Sequence, residues 1–137
     1  MPKIEVKDEN EADDVIVVTE SIKIDDGKHS GQIVNIVRNL PNEAENRMYD
    51  YLDITIKVND VKKEPEIKVG FPTNISELSS LGRLLKKAGM SFADGDEITI
   101  KDIKSILTNK KVTFLSTNEK TEYGEFAKIL RDTIEFA

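Results

Sequence analysis

The fold is decided by the stretch Tyr49–Val58, which reads Tyr-Asp-Tyr-Leu-Asp-Ile-Thr-Ile-Lys-Val. Aliphatic residues occupy every second position from Leu52 to Val58, and polar or aromatic residues stand between them. Because side chains alternate between the two faces of a strand, this period of two predicts a strand with one buried face. The other face carries two tyrosines, a threonine and a lysine, an unusual set for a face that only meets water.

Further strands are predicted on both sides of this stretch, at 15–24, 31–38, 65–71, 110–117 and 123–136. The spacing of apolar residues in the last of these also fits a helix. We predict a strand there because Gly124 follows Tyr123 directly after a hairpin-like loop. Gly31, near the start of its strand, predicts a bulge or the close approach of another backbone.

Two helices are predicted between the strands at 65–71 and 110–117. The first covers Asn74–Gly89, with Asn74 as the cap, Glu77 completing a capping box, and an apolar stripe at helical spacing. That stripe comprises Leu78, Leu81, Leu84, Leu85 and Ala88. Gly82 lies inside this helix, where a glycine lets another element approach. The second helix, 99–107, begins with another capping-box pattern and ends at Asn109, which tolerates the left-handed conformation.

Charge is distributed unevenly along the 137 residues, which suffice for one domain. Residues 1–27 carry nine acidic and three basic residues, whereas residues 28–137 carry seventeen of each. We predict a mobile acidic arm at 1–14 and a single domain at 15–137. The arm is either a solvated tail or a segment that competes with a polyanion or meets a protein partner. No apolar run suits a membrane helix or a signal peptide, which predicts a cytoplasmic protein without a membrane partner.

The sequence lacks the residue patterns of the common catalytic and metal sites. It has no cysteine, and His29 is its only histidine, predicted to be solvated in a turn. The run Asp94-Gly95-Asp96-Glu97 lacks the ligand spacing of a calcium loop. No phosphate-binding glycine loop and no nucleophile elbow are present. We therefore predict a protein that is not an enzyme and that has no cofactor and no metal.

Several short stretches carry a family resemblance that covers residues 27–137. They are Gly31-Gln-Ile-Val, Tyr51-Leu-Asp-Ile, Val69-Gly-Phe-Pro, Leu81-Gly-Arg-Leu-Leu, Lys110-Lys-Val-Thr-Phe and Gly124-Glu-Phe-Ala. In these stretches and in the order of its elements, the chain resembles the small OB-fold single-strand DNA-binding proteins of phages and archaea. The resemblance implies a five-stranded Greek-key β-barrel with a helix between strands 3 and 4, extended here by an N-terminal strand.

The resemblance also implies a binding site, since OB-folds use the face of strands 2 and 3 and the loops 1–2 and 4–5. The residues so implied are Tyr49, Tyr51, Thr55 and Lys57 on strand 2; Lys68 on strand 3; Arg38, Asn42, Asn46 and Arg47 in loop 1–2; and Asn118, Lys120 and Tyr123 in loop 4–5. Tyrosines would stack on bases and cations would follow the phosphates. This implies a single-stranded DNA-binding protein in replication or recombination, with DNA favoured over RNA and the oligomeric state open.

A second hypothesis is an OB-type protein-interaction or assembly adaptor without affinity for nucleic acid. Six acidic residues fall on the same predicted surface and would repel phosphates: Glu43, Glu45, Asp53, Glu66, Glu119 and Glu122. Aromatic residues make up only 6% of the chain, so Tyr49 and Tyr51 would then simply pack on the strand face. Cations clustered around exposed tyrosines would favour the first hypothesis, and acidic residues interleaved evenly among them would favour the second.

Overall fold

The computed structural model describes residues 24–137. The predicted arm at 1–14 and, apart from Ile24, the predicted first strand lie outside the described residues. Within that range the strands are β1 Gly27–Asn39, β2 Tyr51–Val58, β3 Glu66–Pro72, β4 Lys111–Thr121, β5 Gly124–Ile129 and β6 Glu135–Phe136. The helices are α1 Ser80–Lys87 and α2 Ile100–Leu107, and 3-10 turns lie at Glu43–Glu45 and Arg131–Thr133.

The strands form one antiparallel sheet in the order β3-β2-β1-β4-β5, and β6 pairs with β4. After three consecutive strands, the chain passes through both helices and returns as β4 beside β1, which is a Greek-key arrangement. The predicted β-rich architecture with two helices is thus confirmed. The sheet is not closed into a barrel, because no ladder among the described strands joins β3 to β5.

Strand β1 pairs with both β2 and β4, and Gly31 lies where these two ladders overlap. A Cβ atom at Gly31 would lie 2.6 Å from the carbonyl oxygen of Lys57 and 2.8 Å from Cγ2 of Ile56. The predicted close approach of another backbone is therefore confirmed. The β1–β2 register shifts between Ile33 and Asn35, as in a β-bulge, and such a bulge bends a strand.

The hydrophobic core lies between the inner face of the sheet and the two helices. Leu52, Ile54, Ile56 and Val58 of β2 are fully buried, which confirms the period of two. The other buried side chains of the core include Ile67, Val69 and Phe71 from β3, Leu81, Leu84 and Leu85 from α1, and Ile103 and Leu107 from α2. Each such side chain contributes roughly 1.5–3 kcal/mol when fully buried. Neither described helix is long enough to cross a membrane, since each has eight residues.

Helix α1 begins later than predicted, because a different residue caps it. The Ser79 hydroxyl accepts a hydrogen bond from the amide of Gly82 at 3.0 Å, whereas Asn74 stands five residues upstream in an irregular segment. Leu78 consequently lies outside the helix and is 85% exposed, while the rest of the predicted stripe packs on the core. At Gly82 a Cβ would lie 1.8 Å from the Ser76 carbonyl oxygen, so the preceding turn folds back onto the helix.

The start of α2 is as predicted. The Thr99 hydroxyl accepts a hydrogen bond from the Asp102 amide, and the Asp102 carboxylate accepts one from the Thr99 amide, both at 3.1 Å. This reciprocal pair is the capping box. Asn109 takes the left-handed conformation with φ 67°, also as predicted.

The C-terminal third differs from the predicted loop and strand. The predicted loop at 118–122 is mostly strand, since β4 continues to Thr121 and turns tightly at 122–123. The predicted strand 123–136 is interrupted by the 3-10 turn Arg131–Thr133. There the Thr133 hydroxyl accepts from the Leu115 amide at 2.9 Å, which replaces a ladder hydrogen bond with a side-chain bond.

Candidate nucleic-acid interface

The side of β1, β2 and β3 that faces away from the core forms a polar surface, here called the outer face. The register aligns its residues in rows across the three strands. These rows are Asn39–Tyr51–Pro72, Val37–Asp53–Gly70 and Asn35–Thr55–Lys68. Tyr51, Thr55, Lys57 and Lys68 of the predicted site therefore share one surface.

Tyr51 lies against bare backbone at one end of the outer face. A Cβ on Gly70 would lie 3.9 Å from Cδ2 of the Tyr51 ring, so the ring borders a position without a side chain. Asp53, beside it on β2, accepts a hydrogen bond from the side-chain Nδ2 of Asn39 at 3.0 Å. This arrangement provides an aromatic surface next to a carboxylate that already has a donor.

The other predicted residues of β2 and β3 differ in how available they are. Thr55 is only 9% exposed, so it offers little contact surface. The Lys57 ammonium lies 3.2 Å from a carboxylate oxygen of Glu64. Lys68 is exposed and forms no ion pair with any residue of the described range. Tyr51 and Lys68 are therefore the groups of these two strands best placed to meet a ligand.

The arginines predicted for the site are both engaged by acidic neighbours. Arg38 pairs in register with Leu52, whose side chain is buried, so it lies on the inner side at the end of the sheet. Its guanidinium donates to both carboxylate oxygens of Asp50, at 3.0 and 2.6 Å. The hydrogen bond from Arg38 lowers the pKa of Asp50 below its usual value. Arg47 donates to the Leu40 carbonyl at 3.0 Å and forms an ion pair with Glu45.

The loop on which Arg47 lies joins β1 to β2, and it also contains Asn42, Asn46 and Tyr49. The Asn42 side chain accepts from the Ala44 amide at 3.0 Å, and Asn46 has a left-handed φ of 56°. Tyr49 precedes β2, which begins two residues later than predicted, and it is 74% exposed. Asn42 and Asn46 thus shape the loop, and Tyr49 is its accessible aromatic group.

Asn118, Lys120 and Tyr123 were predicted in the loop 4–5 and belong to the β4–β5 hairpin, with Asn118 and Lys120 on β4 itself. The side-chain Nδ2 of Asn118 donates to the Ile24 carbonyl at 2.8 Å and to the Asp26 carboxylate at 3.0 Å. Asn118 thereby anchors the chain entering β1. Lys120 and Tyr123 lie at or near the hairpin tip, where Tyr123 is 83% exposed.

Sequence reasoning missed two cations that border the outer face. Lys128 on β5 and Arg131 after it line a groove between β3 and β5, together with Lys68 and Gly70. No local pattern indicates this, because the strands that form the groove are about 60 residues apart in the chain. Only the Greek-key arrangement makes them neighbours.

His29 is buried in β1 with 7% exposure, so the predicted solvated turn histidine was wrong. Among residues 24–137, no three His, Cys, Asp or Glu side chains are grouped so that they could hold a metal ion.

No protein-family model matches the chain, and no curated protein sequence matches it either.

Proposed function

We propose that this chain is a non-catalytic OB-type protein that binds single-stranded DNA during replication or recombination. The Greek-key strand order and the helical connection between β3 and β4 support the OB-type assignment. The observation that carries the proposed activity is the position of Tyr51, which lies against Gly70 on the outer face with Lys68 on the neighbouring strand.

In the proposed mode of binding, a base stacks on Tyr51 while the adjoining phosphates meet Lys68. Stacking on an aromatic side chain contributes roughly 1–3 kcal/mol per base and tolerates any sequence, because every base has a π-face. Contacts between lysines and phosphates release counterions, so the affinity falls as salt rises. With few aromatic residues available, the affinity is modest and strongly dependent on salt.

The test is fluorescence anisotropy with a labelled oligo-dT of about 30 nucleotides across a salt series. Tyr51→Ala is expected to weaken binding roughly 5- to 160-fold, the loss of one stacked base. Tyr51→Phe keeps the ring and serves as the matched control, with affinity close to that of the unchanged chain. Absence of binding by the full chain at low salt would overturn the proposal.

A second candidate is a protein-interaction module, favoured by exposed apolar side chains on and beside β4 and β5. Leu115, Phe126 and Leu130 are 42%, 38% and 38% exposed there. Leu130 donates its amide to the Leu115 carbonyl at 2.9 Å, so these two residues are neighbours. This candidate predicts no affinity for the oligonucleotide at any salt concentration, and the anisotropy experiment therefore separates the two.

A further inference from the structure

Basic side chains line a continuous path from the outer face to helix α1. Lys68, Lys128 and Arg131 line the groove between β3 and β5. Arg131 also lines an adjoining groove that it shares with Arg83 and Lys87 of α1. Because Arg131 belongs to both grooves, the five cations form one surface, here called the basic seam.

The acidic groups along the basic seam are fewer than the cations, and each lies near one cation of the seam. One carboxylate oxygen of Asp132 accepts from the Ser80 hydroxyl at 3.0 Å and from Arg83 at 3.1 Å. Glu135 pairs with Lys87 at 2.9 Å. Glu119 lies 3.8 Å from Lys128, a separation at which an exposed pair contributes little.

Two members of the basic seam keep their charge uncompensated within the described range. The Arg131 guanidinium donates to the Gly70 carbonyl at 3.1 Å, an acceptor without net charge. Lys68 has no ion-pair partner among residues 24–137. Within the seam, five cations stand against Asp132, Glu135 and Glu119. Asp53 lies outside the seam but also borders Gly70, with its Oδ1 4.0 Å from where a Gly70 Cβ would lie, and it already accepts a hydrogen bond from the Asn39 side chain.

The basic seam continues the surface that carries Tyr51. Lys68 alternates with the buried residues Ile67 and Val69, so its side chain points outward. Lys128 precedes buried Ile129 on β5 and likewise points outward. A ligand stacked on Tyr51 can thus extend over Lys68 and Lys128 on this side of the sheet. To reach Arg83 and Lys87 it must pass over the edge between β3 and β5 at Arg131, because α1 packs on the inner face.

We infer that the sugar–phosphate backbone of a single strand runs from Tyr51 across the β3–β5 groove to Arg83 and Lys87. This inference rests on the proposed function and deepens it by giving the path of the bound strand across the surface. The site takes a polynucleotide several phosphates long and not a single nucleotide. Positive charge that follows a backbone is the electrostatic half of single-strand recognition, independent of stacking.

The experiment compares the double variant K68Q/K128Q with K101Q/K104Q, which removes the same charge from exposed lysines of α2. Both are titrated with labelled oligo-dT and with an abasic oligonucleotide of equal length, at several salt concentrations. We expect K68Q/K128Q to weaken the binding of both ligands roughly 5- to 20-fold. The slope of log affinity against log salt concentration should become shallower by about 1.4. The K101Q/K104Q control keeps the affinity and slope of the unchanged chain. Thermal unfolding verifies that each variant is folded.

Stacking and backbone contacts are separated by the abasic ligand. Tyr51→Ala is expected to weaken the binding of oligo-dT and to leave the binding of the abasic oligonucleotide unchanged. K68Q/K128Q is expected to weaken the binding of both. If K68Q/K128Q retains the full affinity and slope while Tyr51→Ala loses binding, the backbone path is wrong and the proposed function survives. If the unchanged chain binds neither ligand, both are overturned.

Discussion

His29 on β1 donates from Nδ1 to the carboxylate of Asp60, with the two oxygens at 3.1 and 3.0 Å, and ties β1 to the turn after β2. Its other ring nitrogen, Nε2, lies 2.5 Å from the Asp25 carbonyl oxygen. Both neighbours are acceptors, so the imidazolium form satisfies them best. Burial lowers the pKa of His29, but the hydrogen bonds to Asp25 and Asp60 outweigh burial and raise it above its ordinary value of 6.5.

We predict that stability falls with rising pH because of His29. Because the pKa of His29 is raised in the folded state, protonated His29 stabilises the fold fully below about pH 6.5. This stabilisation is lost as the pH rises through the folded-state pKa. His29→Gln should lower the free energy of unfolding by about 1–3 kcal/mol at pH 6, since hydrogen bonds to a charged group are lost. Urea denaturation from pH 6 to 9 measures this. Equal pH slopes for the unchanged chain and His29→Gln would contradict it.

Gly82 is predicted to tolerate no side chain. A Cβ there would lie 1.8 Å from the Ser76 carbonyl oxygen, so Gly82→Ala must displace either the helix or the preceding turn. We expect a loss of about 1–3 kcal/mol in denaturant unfolding. Gly70→Ala is the matched control, because its Cβ would make an ordinary contact, 3.9 Å from Tyr51. Similar losses for both variants would show that the crowding at Gly82 is unimportant.

The cap of α1 gives a direct comparison between the predicted and the observed helix start. Ser79→Ala removes the hydroxyl that accepts from the Gly82 amide and should cost about 1 kcal/mol. Asn74→Ala should be nearly neutral, since Asn74 lies outside the helix. Chemical denaturation of the two variants measures this. A larger loss of stability for Asn74→Ala than for Ser79→Ala would indicate that the helix begins at Asn74, as the sequence predicted.

Asp50 is predicted to restrain nucleic-acid binding by neutralising Arg38. Under the proposed function, Asp50→Asn leaves the Arg38 guanidinium without its paired carboxylate, so the affinity for oligo-dT at low salt rises. Asp94→Asn, in the exposed turn after α1, makes the same charge change and is the control for a general electrostatic effect. Anisotropy titrations compare the two variants. Equal gains would mean that Arg38 has no local role.

Local patterns predicted the parts of the fold that depend on neighbouring residues. The alternation in β2 and β3 and the capping box of α2 were predictable because their periodicity or spacing is local in the chain. The start of α1 was not, because Asn74 and Ser79 are both acceptable caps. The choice between them follows from how the Ser76 turn packs on Gly82, a tertiary contact.

The candidate site divides in the same way. Tyr51 and Lys68 could be placed on one surface from the sequence, because a short connection makes their strands neighbours. Lys128 and Arg131 could not, since their proximity to β3 depends on the return of β4 beside β1. The sequence also does not show that Arg38 is paired with Asp50, which makes it less available to a ligand.

By itself the sequence determined which residues face inward along each regular strand, because alternation is a property of the extended backbone. It likewise determined an uneven charge distribution, acidic in residues 1–27 and balanced beyond them. Only the tertiary structure decided which charges remain uncompensated. Ion pairs and grooves depend on distances between residues that are remote in the chain, and these distances exist only once the strands have paired.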